Sequence, residues 1–321
     1  MKKFLRQTVL FFFGLLLMAV LFDIVLTRRA LRMTIPPYAT WNEIYRRRID
    51  ADILFMGSSR SYVQFNPAVF DTILHTNSYN LGMDGSAADS QILRYKVFRH
   101  CGNPKPKLIV YEVSHGTMQQ SNGYERSQFV PYLHDQYLWR LCHKQEEFDL
   151  TDAVLPCWRF LGWQKLVSSI LSPSSKKDND LLYKGFRGYD RQWDGSGLRK
   201  QSQVTYHQDT AVIRQFREFL DECRRDSIQV VLVTSPFYIG GTRKMADSTG
   251  MHAMFERIAD DYGLPYLDYT YDELSYDTAY FYNTMHLNRT GANLFSQKVA
   301  RDLDSLFRSH NSVVRMVGAS E

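Results

Sequence analysis

The stretch Ile53-Leu54-Phe55-Met56-Gly57-Ser58-Ser59 decides the fold. Its four leading apolar residues contain no polar alternation, which is typical of a strand buried on both faces of a parallel sheet. The glycine that follows permits a tight turn, and Ser59 lies just beyond it. Because ligands of parallel sheets bind at the carboxyl ends of the strands, the stretch also predicts a serine placed for function.

Further apolar runs and helical patterns follow this first strand. Four more strands are predicted, at 78–81, 108–113, 228–233 and 265–267. Helices are predicted at 86–100, where Ser86 would be the cap, and at 209–225, 250–262 and 289–307. Strands that alternate with helices form a parallel sheet with helices on both faces, so we expect an α/β domain.

The N-terminal segment predicts a membrane helix. Residues 7–27 form an apolar run just long enough to span a bilayer, interrupted only by Asp23. A cleavable signal peptide begins in the same way, but the run lacks a cleavage site of small residues. We therefore expect an uncleaved signal anchor in the cell membrane. Basic residues flank both ends, so the positive-inside bias nearly cancels. Because a six-residue tail translocates less readily than it stays behind, we place the tail 1–6 in the cytoplasm and the main domain outside it.

The rest of the chain divides by composition. Residues 28–50 are predicted to be a connector broken by Pro36-Pro37, residues 51–308 the α/β domain, and residues 309–321 a tail. Residues 115–205 fit the strand and helix alternation poorly. So long a stretch within an α/β domain is usually a functional insertion.

Composition excludes some classes of protein. The 321 residues are 44% hydrophobic and 23% charged, which indicates a globular chain. A net charge of +5, without a nucleic-acid motif, argues against DNA or RNA as a partner. The four cysteines contain no C-x-x-C pair, so metal and thioredoxin-like sites lack support. A disulfide, with Cys142 and Cys157 enclosing the shortest loop, and buried free thiols both remain open.

A second group of polar residues lies near the end of the chain. In Asn283-Thr284-Met285-His286-Leu287-Asn288, the last residue is a good N-cap for the final helix, which leaves His286 on a loop. Asn283 can accept a hydrogen bond from the imidazole Nδ1 and leave Nε2 to take a serine proton. A third motif, Asn80-Leu81-Gly82, follows the second strand, where glycine allows close approach of a backbone N–H.

In this order, the motifs resemble those of the SGNH/GDSL hydrolase superfamily, and especially its membrane-anchored members that acylate envelope polymers. The resemblance implies a three-layer α/β/α, flavodoxin-like domain. Gly57-Ser58-Ser59 corresponds to the G-D-S block, which implies that Ser59 is the nucleophile. Gly82 corresponds to the second block and, with Ser59, implies the N–H groups of an oxyanion hole. Asn283 and His286 occupy the D-x-x-H block.

Two departures from the family pattern stand out. Asn283 replaces the family's aspartate, and an amide cannot stabilise an imidazolium as a carboxylate does; a Ser–His dyad, or another carboxylate such as Asp277 reaching in, would compensate. Glu112-Val113-Ser114-His115 replaces the block that supplies an oxyanion-hole asparagine.

The resemblance implies a serine esterase or O-acyltransferase for a cell-envelope glycan or glycolipid, without a metal or cofactor. The expected partners are the bilayer, the acylated substrate and a membrane-bound acyltransferase. A non-catalytic glycan-binding or assembly module of the same fold, and a plain membrane-anchored scaffold, remain alternatives.

Overall fold

The computed structural model describes residues 1–120, 125–144, 148–172, 182–196, 198, 207–243 and 248–309. The chain forms two compact units. Unit 1 comprises Met1–Glu43 and Gly123–Asn179, and unit 2 comprises Ile44–Asn122 and Asp180–Glu321. The residues of the predicted insertion are therefore divided between the units. Of the predicted tail, 310–321 lie outside the described residues.

Unit 2 is built on a five-stranded parallel sheet in the order β2-β1-β3-β6-β7, and β4 pairs with β5 in a separate antiparallel hairpin. The strands are β1 (Ile53–Met56), β2 (Ser78–Asn80), β3 (Leu108–Glu112), β4 (Leu182–Tyr183), β5 (Phe186–Arg187), β6 (Gln229–Thr234) and β7 (Tyr266–Asp268). The order of the five parallel strands is that of flavodoxin-like folds. The predicted parallel sheet is thus confirmed, with strand ends within one or two residues of expectation.

Helices precede, connect and follow the strands. They are α1 (Lys2–Ala30), α2 (Tyr38–Tyr45), α3 (Ser59–Gln64), α4 (Pro67–Leu74), α5 (Ala88–His100), α6 (Gln136–Lys144), α7 (Leu150–Val154), α8 (Gln164–Leu171), α9 (Thr210–Arg225), α10 (Ile239–Thr242), α11 (Ser248–Tyr262) and α12 (Arg289–Ser309). Short 3₁₀ turns occur at Glu125–Gln128, Val130–Tyr132, Trp158–Phe160, Glu273–Tyr276 and Thr278–Tyr280.

Both faces of the sheet are covered by helices. On one face, the Phe55 ring lies 5.3 Å from that of Phe65, which packs in turn on Phe295 of α12. On the other face, the Tyr111 ring makes an edge contact at 5.1 Å with Phe216 of α9. Because neighbouring residues of a strand point to opposite faces, the continuous apolar runs of β1, β3 and β6 supply both layers of the core. The three-layer α/β/α architecture is confirmed.

The start of α5 differs from the expectation. The predicted cap, Ser86, does not cap the helix, which begins at Ala88 after Ala87. The Ser86 hydroxyl instead donates to the carbonyl of Met83 at 2.6 Å and closes the turn after β2. By contrast, Asp209 caps α9 by accepting from two backbone N–H groups, as its position before an amphipathic pattern indicates.

Unit 1 contains the helix α1, which is long and apolar enough to cross a membrane. At 1.5 Å per residue its 29 residues extend for about 43 Å. It starts at Lys2, so the predicted tail 1–6 is mostly helical, because Lys, Phe, Leu and Arg are compatible with a continuous helix. All four cysteines of the chain are free thiols, and Cys142 and Cys157 of this unit form no disulfide.

Candidate active site

Ser59 is the first residue of α3, at the carboxyl end of β1. The turn between strand and helix requires glycine at position 57, whose φ is +139°. A Cβ atom there would lie 2.8 Å from the Cβ of Glu112 and 2.9 Å from that of Ser61. Residues 53–59 therefore fold into a strand and a turn that place Ser59 at the edge of the sheet.

His286 lies on the loop before α12 and reaches the same edge. The Gln64 amide donates to the carbonyl of Met285 at 3.2 Å, which ties this loop to α3. At the other end of the loop, the Asn288 side chain accepts from the N–H of Gly291 at 3.0 Å and caps α12. His286 Nε2 and Ser59 Oγ are 2.7 Å apart, although 227 residues separate them in the sequence. This is the distance expected between a nucleophile and its general base.

Asn283 fixes the tautomer of the imidazole. Its Oδ1 lies 3.0 Å from His286 Nδ1 and 2.9 Å from each of the backbone nitrogens of Met285 and His286. Backbone N–H groups can only donate, so the atom that faces them must be the amide oxygen. Because that oxygen accepts from Nδ1–H, Nε2 is left without a proton and accepts from the hydroxyl of Ser59.

The environment of His286 keeps the ring neutral. The side chain is only 9% exposed. Burial, with a smaller effect from the positive charge of Arg60, lowers the pKa of His286 to about 3. Neutral imidazole is the form that can accept a proton, but a low pKa also makes it a weak base.

We predict that activity persists in mild acid. In the folded chain His286 stays neutral until the pH approaches its pKa of about 3, so kcat/KM for an ester should not halve near pH 6.5, the ordinary histidine value. Unlike activity, the stability of the fold should change in this pH range. Between about pH 6.5 and 3 the unfolded chain binds a proton that the folded chain does not, so the free energy of unfolding decreases as the pH is lowered through that window. A pH profile of kcat/KM with urea unfolding at each pH tests both statements, and an acid limb centred near pH 6.5 would contradict the first.

Gly82 lies against the nucleophile helix, and its N–H is already bonded. A Cβ at this position would lie 2.5 Å from the backbone nitrogen of Tyr62, so only glycine fits. The Gly82 N–H donates to Asn80 Oδ1 at 2.8 Å, while Asn80 Nδ2 donates to the carbonyls of Ser61 at 2.7 Å and Phe65 at 2.9 Å. The role of the Gly82 N–H as an oxyanion donor stays a prediction. This role requires the N–H to exchange its hydrogen bond to Asn80 for one to the substrate.

An ion pair behind the nucleophile was missed by the sequence analysis. Glu112, at the end of β3, is fully buried and lies 3.4 Å from Arg60 Nε, and it accepts from the hydroxyls of Ser58 and Ser235 at 3.3 Å each. Burial raises the pKa of Glu112, and the charge of Arg60 opposes this rise. Two features of the sequence could have indicated this ion pair: Glu112 ends an apolar strand, and Arg60 directly follows the nucleophile.

Arg60 is held on three sides. Besides Glu112, its guanidinium stacks 3.6 Å from the ring centre of Phe237 and donates to the carbonyl of Ser235. The side chain is 3% exposed. Arg60 thus connects the nucleophile turn to the loop after β6, and its charge acts on His286.

Asp277 does not take the place of the family's aspartate. Its carboxylate accepts from the N–H of Ala279 at 2.8 Å and caps a 3₁₀ turn. The partner of the imidazole Nδ1 is Asn283, so compensation by Asp277 was the wrong expectation. The carboxylate of Asp277 accepts a hydrogen bond from a backbone N–H only two residues away, and this local cap holds it there instead of at the histidine.

Aromatic rings continue from the histidine toward the hairpin of β4 and β5. The Tyr282 ring stacks on His286 with 5.3 Å between centres, and Tyr189 contacts Tyr282 at 4.6 Å. Arg187 of β5 lies over the Tyr189 ring at 5.0 Å. The positive charge of Arg187 also opposes the burial-driven rise in the pKa of Asp84. A chain of contacts therefore leads from His286 through Tyr282 and Tyr189 to Arg187, whose charge acts on Asp84.

Comparison with known proteins gave similar structures only. No family model matches the chain, and no curated protein matches it. A candidate acylhydrolase from Bacteroides fragilis is 13% identical with a TM-score of 0.42, and the match covers 84% of this chain and 97% of that one. A GDSL-like lipase from Bacteroides thetaiotaomicron is 10% identical with a TM-score of 0.38, over 83% and 98% of the two chains.

Proposed function

We propose that the chain is a serine esterase or O-acyltransferase of the SGNH type. The observation that carries the proposal is the 2.7 Å contact between Ser59 Oγ and His286 Nε2, with the imidazole tautomer fixed by Asn283. Ser59 Oγ attacks the acyl carbonyl while its proton passes to Nε2. The imidazolium then protonates the leaving alkoxide, and the acyl group stays on Ser59. A water or an alcohol, deprotonated by the same nitrogen, releases the acyl group as an acid or a new ester.

The direct test is to trap the covalent intermediate. A fluorophosphonate reacts with a serine only when a neighbouring base activates the hydroxyl, so the probe should add its mass to the peptide that contains Ser59. His286→Ala should remove the labelling, because the variant keeps the serine and loses the base. Labelling at other serines, unaffected by His286→Ala, would contradict the proposal.

For the substrate, we propose an acylated cell-envelope glycan or glycolipid. Support comes from the series of contacts that leads from His286 through Tyr282 and Tyr189 to Arg187, since flat rings and charged hydrogen-bonding groups suit the faces and hydroxyls of sugars. Release of acid from an O-acetylated polysaccharide should exceed release from a simple alkyl ester at equal ester concentration. The opposite preference would contradict this substrate class.

We further propose that α1 anchors the chain in the cell membrane with the α/β unit outside the cytoplasm. The apolar length of α1 supports a membrane span, and the basic residues Lys2, Lys3 and Arg6 in its first turns support a cytoplasmic N-terminal end. A membrane-bound acyltransferase as partner fits the same location. The test is a reporter enzyme that is active only in the cytosol, fused at the C-terminus. Activity of this reporter would overturn the orientation.

Asn283 provides a graded test of the mechanism. We predict that Asn283→Ala lowers kcat only about five- to tenfold, because it removes one neutral hydrogen bond of about 1 kcal/mol from the imidazole. Asn283→Asp should raise kcat, since a carboxylate beside Nδ1 raises the pKa of His286 toward the working pH and stabilises the imidazolium. Aryl ester kinetics of the two variants, with folding checked by circular dichroism, provide the measurement. A loss in Asn283→Asp as large as that in His286→Ala would contradict the assigned role.

The alternative function is a non-catalytic glycan-binding module of the same fold. The feature that favours it is the neutral Asn283 beside a histidine of low pKa. If wild type shows no turnover that depends on Ser59 but Asn283→Asp does, the site is a decayed one and this alternative holds.

A further inference from the structure

One segment of unit 1 exposes many apolar side chains. It consists of residues 150–171 and contains α7, the turn Trp158–Phe160 and α8. Its large exposed apolar residues are Leu150, Val154, Leu155, Trp158, Leu161 and Leu171. From 153 to 163 the only charged residue is Arg159. We call these six side chains the apolar surface. So many large exposed apolar side chains in one short segment point to an interaction surface.

The segment contacts α1 inside its predicted membrane span. The N–H of Cys157 donates to Asp23 Oδ2 at 2.7 Å, and its thiol donates to the carbonyl of Ala19 at 3.1 Å. Arg159 Nη2 donates to Asp23 Oδ1 at 2.6 Å and to the hydroxyl of Thr27 at 2.8 Å. Along a helix axis, Ala19 lies about 12 Å before Thr27, the last residue of the span. The turn at 157–159 therefore lies beside the span and not beyond its end.

Most polar groups of this turn are satisfied internally, as an apolar solvent requires; Arg159 Nε is the exception, since it is buried without a hydrogen-bond partner among the described residues. Arg159 is 5% exposed and neutralises Asp23, and an unpaired charge at this depth would be costly. Pro156 has no N–H. Other backbone N–H groups of the turn donate within unit 1, namely those of Leu155, Cys157, Trp158, Phe160, Leu161 and Trp163. Irregular backbone is tolerated at membrane depth only when its hydrogen bonds are made within the protein.

We propose that the apolar surface is embedded in the acyl chains of the membrane leaflet next to the C-terminal half of α1. Its partner is lipid, and α1 with residues 150–171 forms one membrane-embedded unit instead of a single bare helix. This partner is supported by the exposed apolar residues that both α1 and residues 154–161 carry, since the ion pair of Asp23 with Arg159 and the contact of Cys157 with Ala19 hold these two segments together. The proposal depends on α1 spanning the membrane and is independent of the ester chemistry.

The test is fluorescence quenching of Trp158 in vesicles that contain lipid and the full chain only. Lipids brominated on the acyl chain quench tryptophan on contact, so part of the emission should be lost in brominated vesicles. Trp158→Phe should remove that lost component. The matched control is Trp193→Phe, which deletes a buried tryptophan of unit 2 and should leave the quenched component unchanged.

Flotation of the chain with the vesicles is measured first, and ester turnover is measured in the same samples. Quenching that vanishes in Trp158→Phe supports the proposal whether or not turnover is found. The proposal would be overturned if brominated lipid left the emission of Trp158 unchanged while aqueous iodide quenched it. The apolar surface would then face water or bind a protein partner. A chain that fails to float would overturn it as well.

Discussion

Ser59→Ala is expected to abolish ester turnover, with kcat falling by about four orders of magnitude or more. The hydroxyl is the atom that forms the acyl bond, and no other group lies within hydrogen-bond distance of His286 Nε2 among the described residues. His286→Ala should cost a similar amount, because a neutral serine hydroxyl is a poor nucleophile without a base. Residues that act as one unit are not additive, so the double variant should be no slower than either single one.

The measurement is hydrolysis of an aryl ester by wild type, Ser59→Ala, His286→Ala and the double variant. Ser58→Ala is the matched control: the neighbouring hydroxyl donates to Glu112 at 3.3 Å and not to the histidine, so most of the rate should remain. Circular dichroism and the unfolding midpoint establish that each variant is folded. Turnover in Ser59→Ala within tenfold of wild type would sink the enzyme hypothesis, and turnover absent from every variant and from wild type would favour the binding module.

The part of the site that the sequence predicts correctly is local in character. The turn after β1 follows from an apolar run that ends in glycine, and the His286 loop follows from Asn288 as a helix cap. Asn283 and His286 are three residues apart, so their hydrogen bond needs only one short turn. The meeting of Ser59 and His286 follows from parallel-strand topology, which brings the carboxyl ends of all strands to one edge.

What the sequence could not predict depends on register and on contacts between distant segments. Glu112 meets Ser235 because Glu112 pairs with Val233 in the sheet, a register that no local pattern specifies. A glutamate after an apolar strand is equally compatible with a solvated strand end. The membership of 123–179 in the unit of α1 was missed for the same reason, because it follows from contacts between distant segments, such as the pair of Asp23 and Arg159, which are 136 residues apart.

The second large effect concerns stability, and it lies in the ion pair behind the nucleophile. We predict that Arg60→Met lowers the free energy of unfolding by about 3–5 kcal/mol, because it leaves the buried carboxylate of Glu112 without its counter-charge. Methionine keeps much of the aliphatic contact with Phe237, so most of the loss reports on charge. Arg60→Met/Glu112→Gln removes both charges and should recover most of the loss, since the amide oxygen can accept from one of the hydroxyls of Ser58 and Ser235 while the amide NH2 donates to the other.

The measurement is urea unfolding of wild type, the two single variants and the double variant, which together form a double-mutant cycle. A second measurement tests whether the ion pair of Arg60 and Glu112 also affects the active site, which a purely structural ion pair would not. Arg60 lowers the pKa of His286, so Arg60→Met should move the acid limb of kcat/KM to higher pH. Arg217→Met is the matched control, because its partner Asp261 lies in an exposed pair at 2.7 Å and its removal should cost at most about 1 kcal/mol. A loss in the double variant equal to the sum of the losses in the two single variants would show that the two charges do not depend on each other.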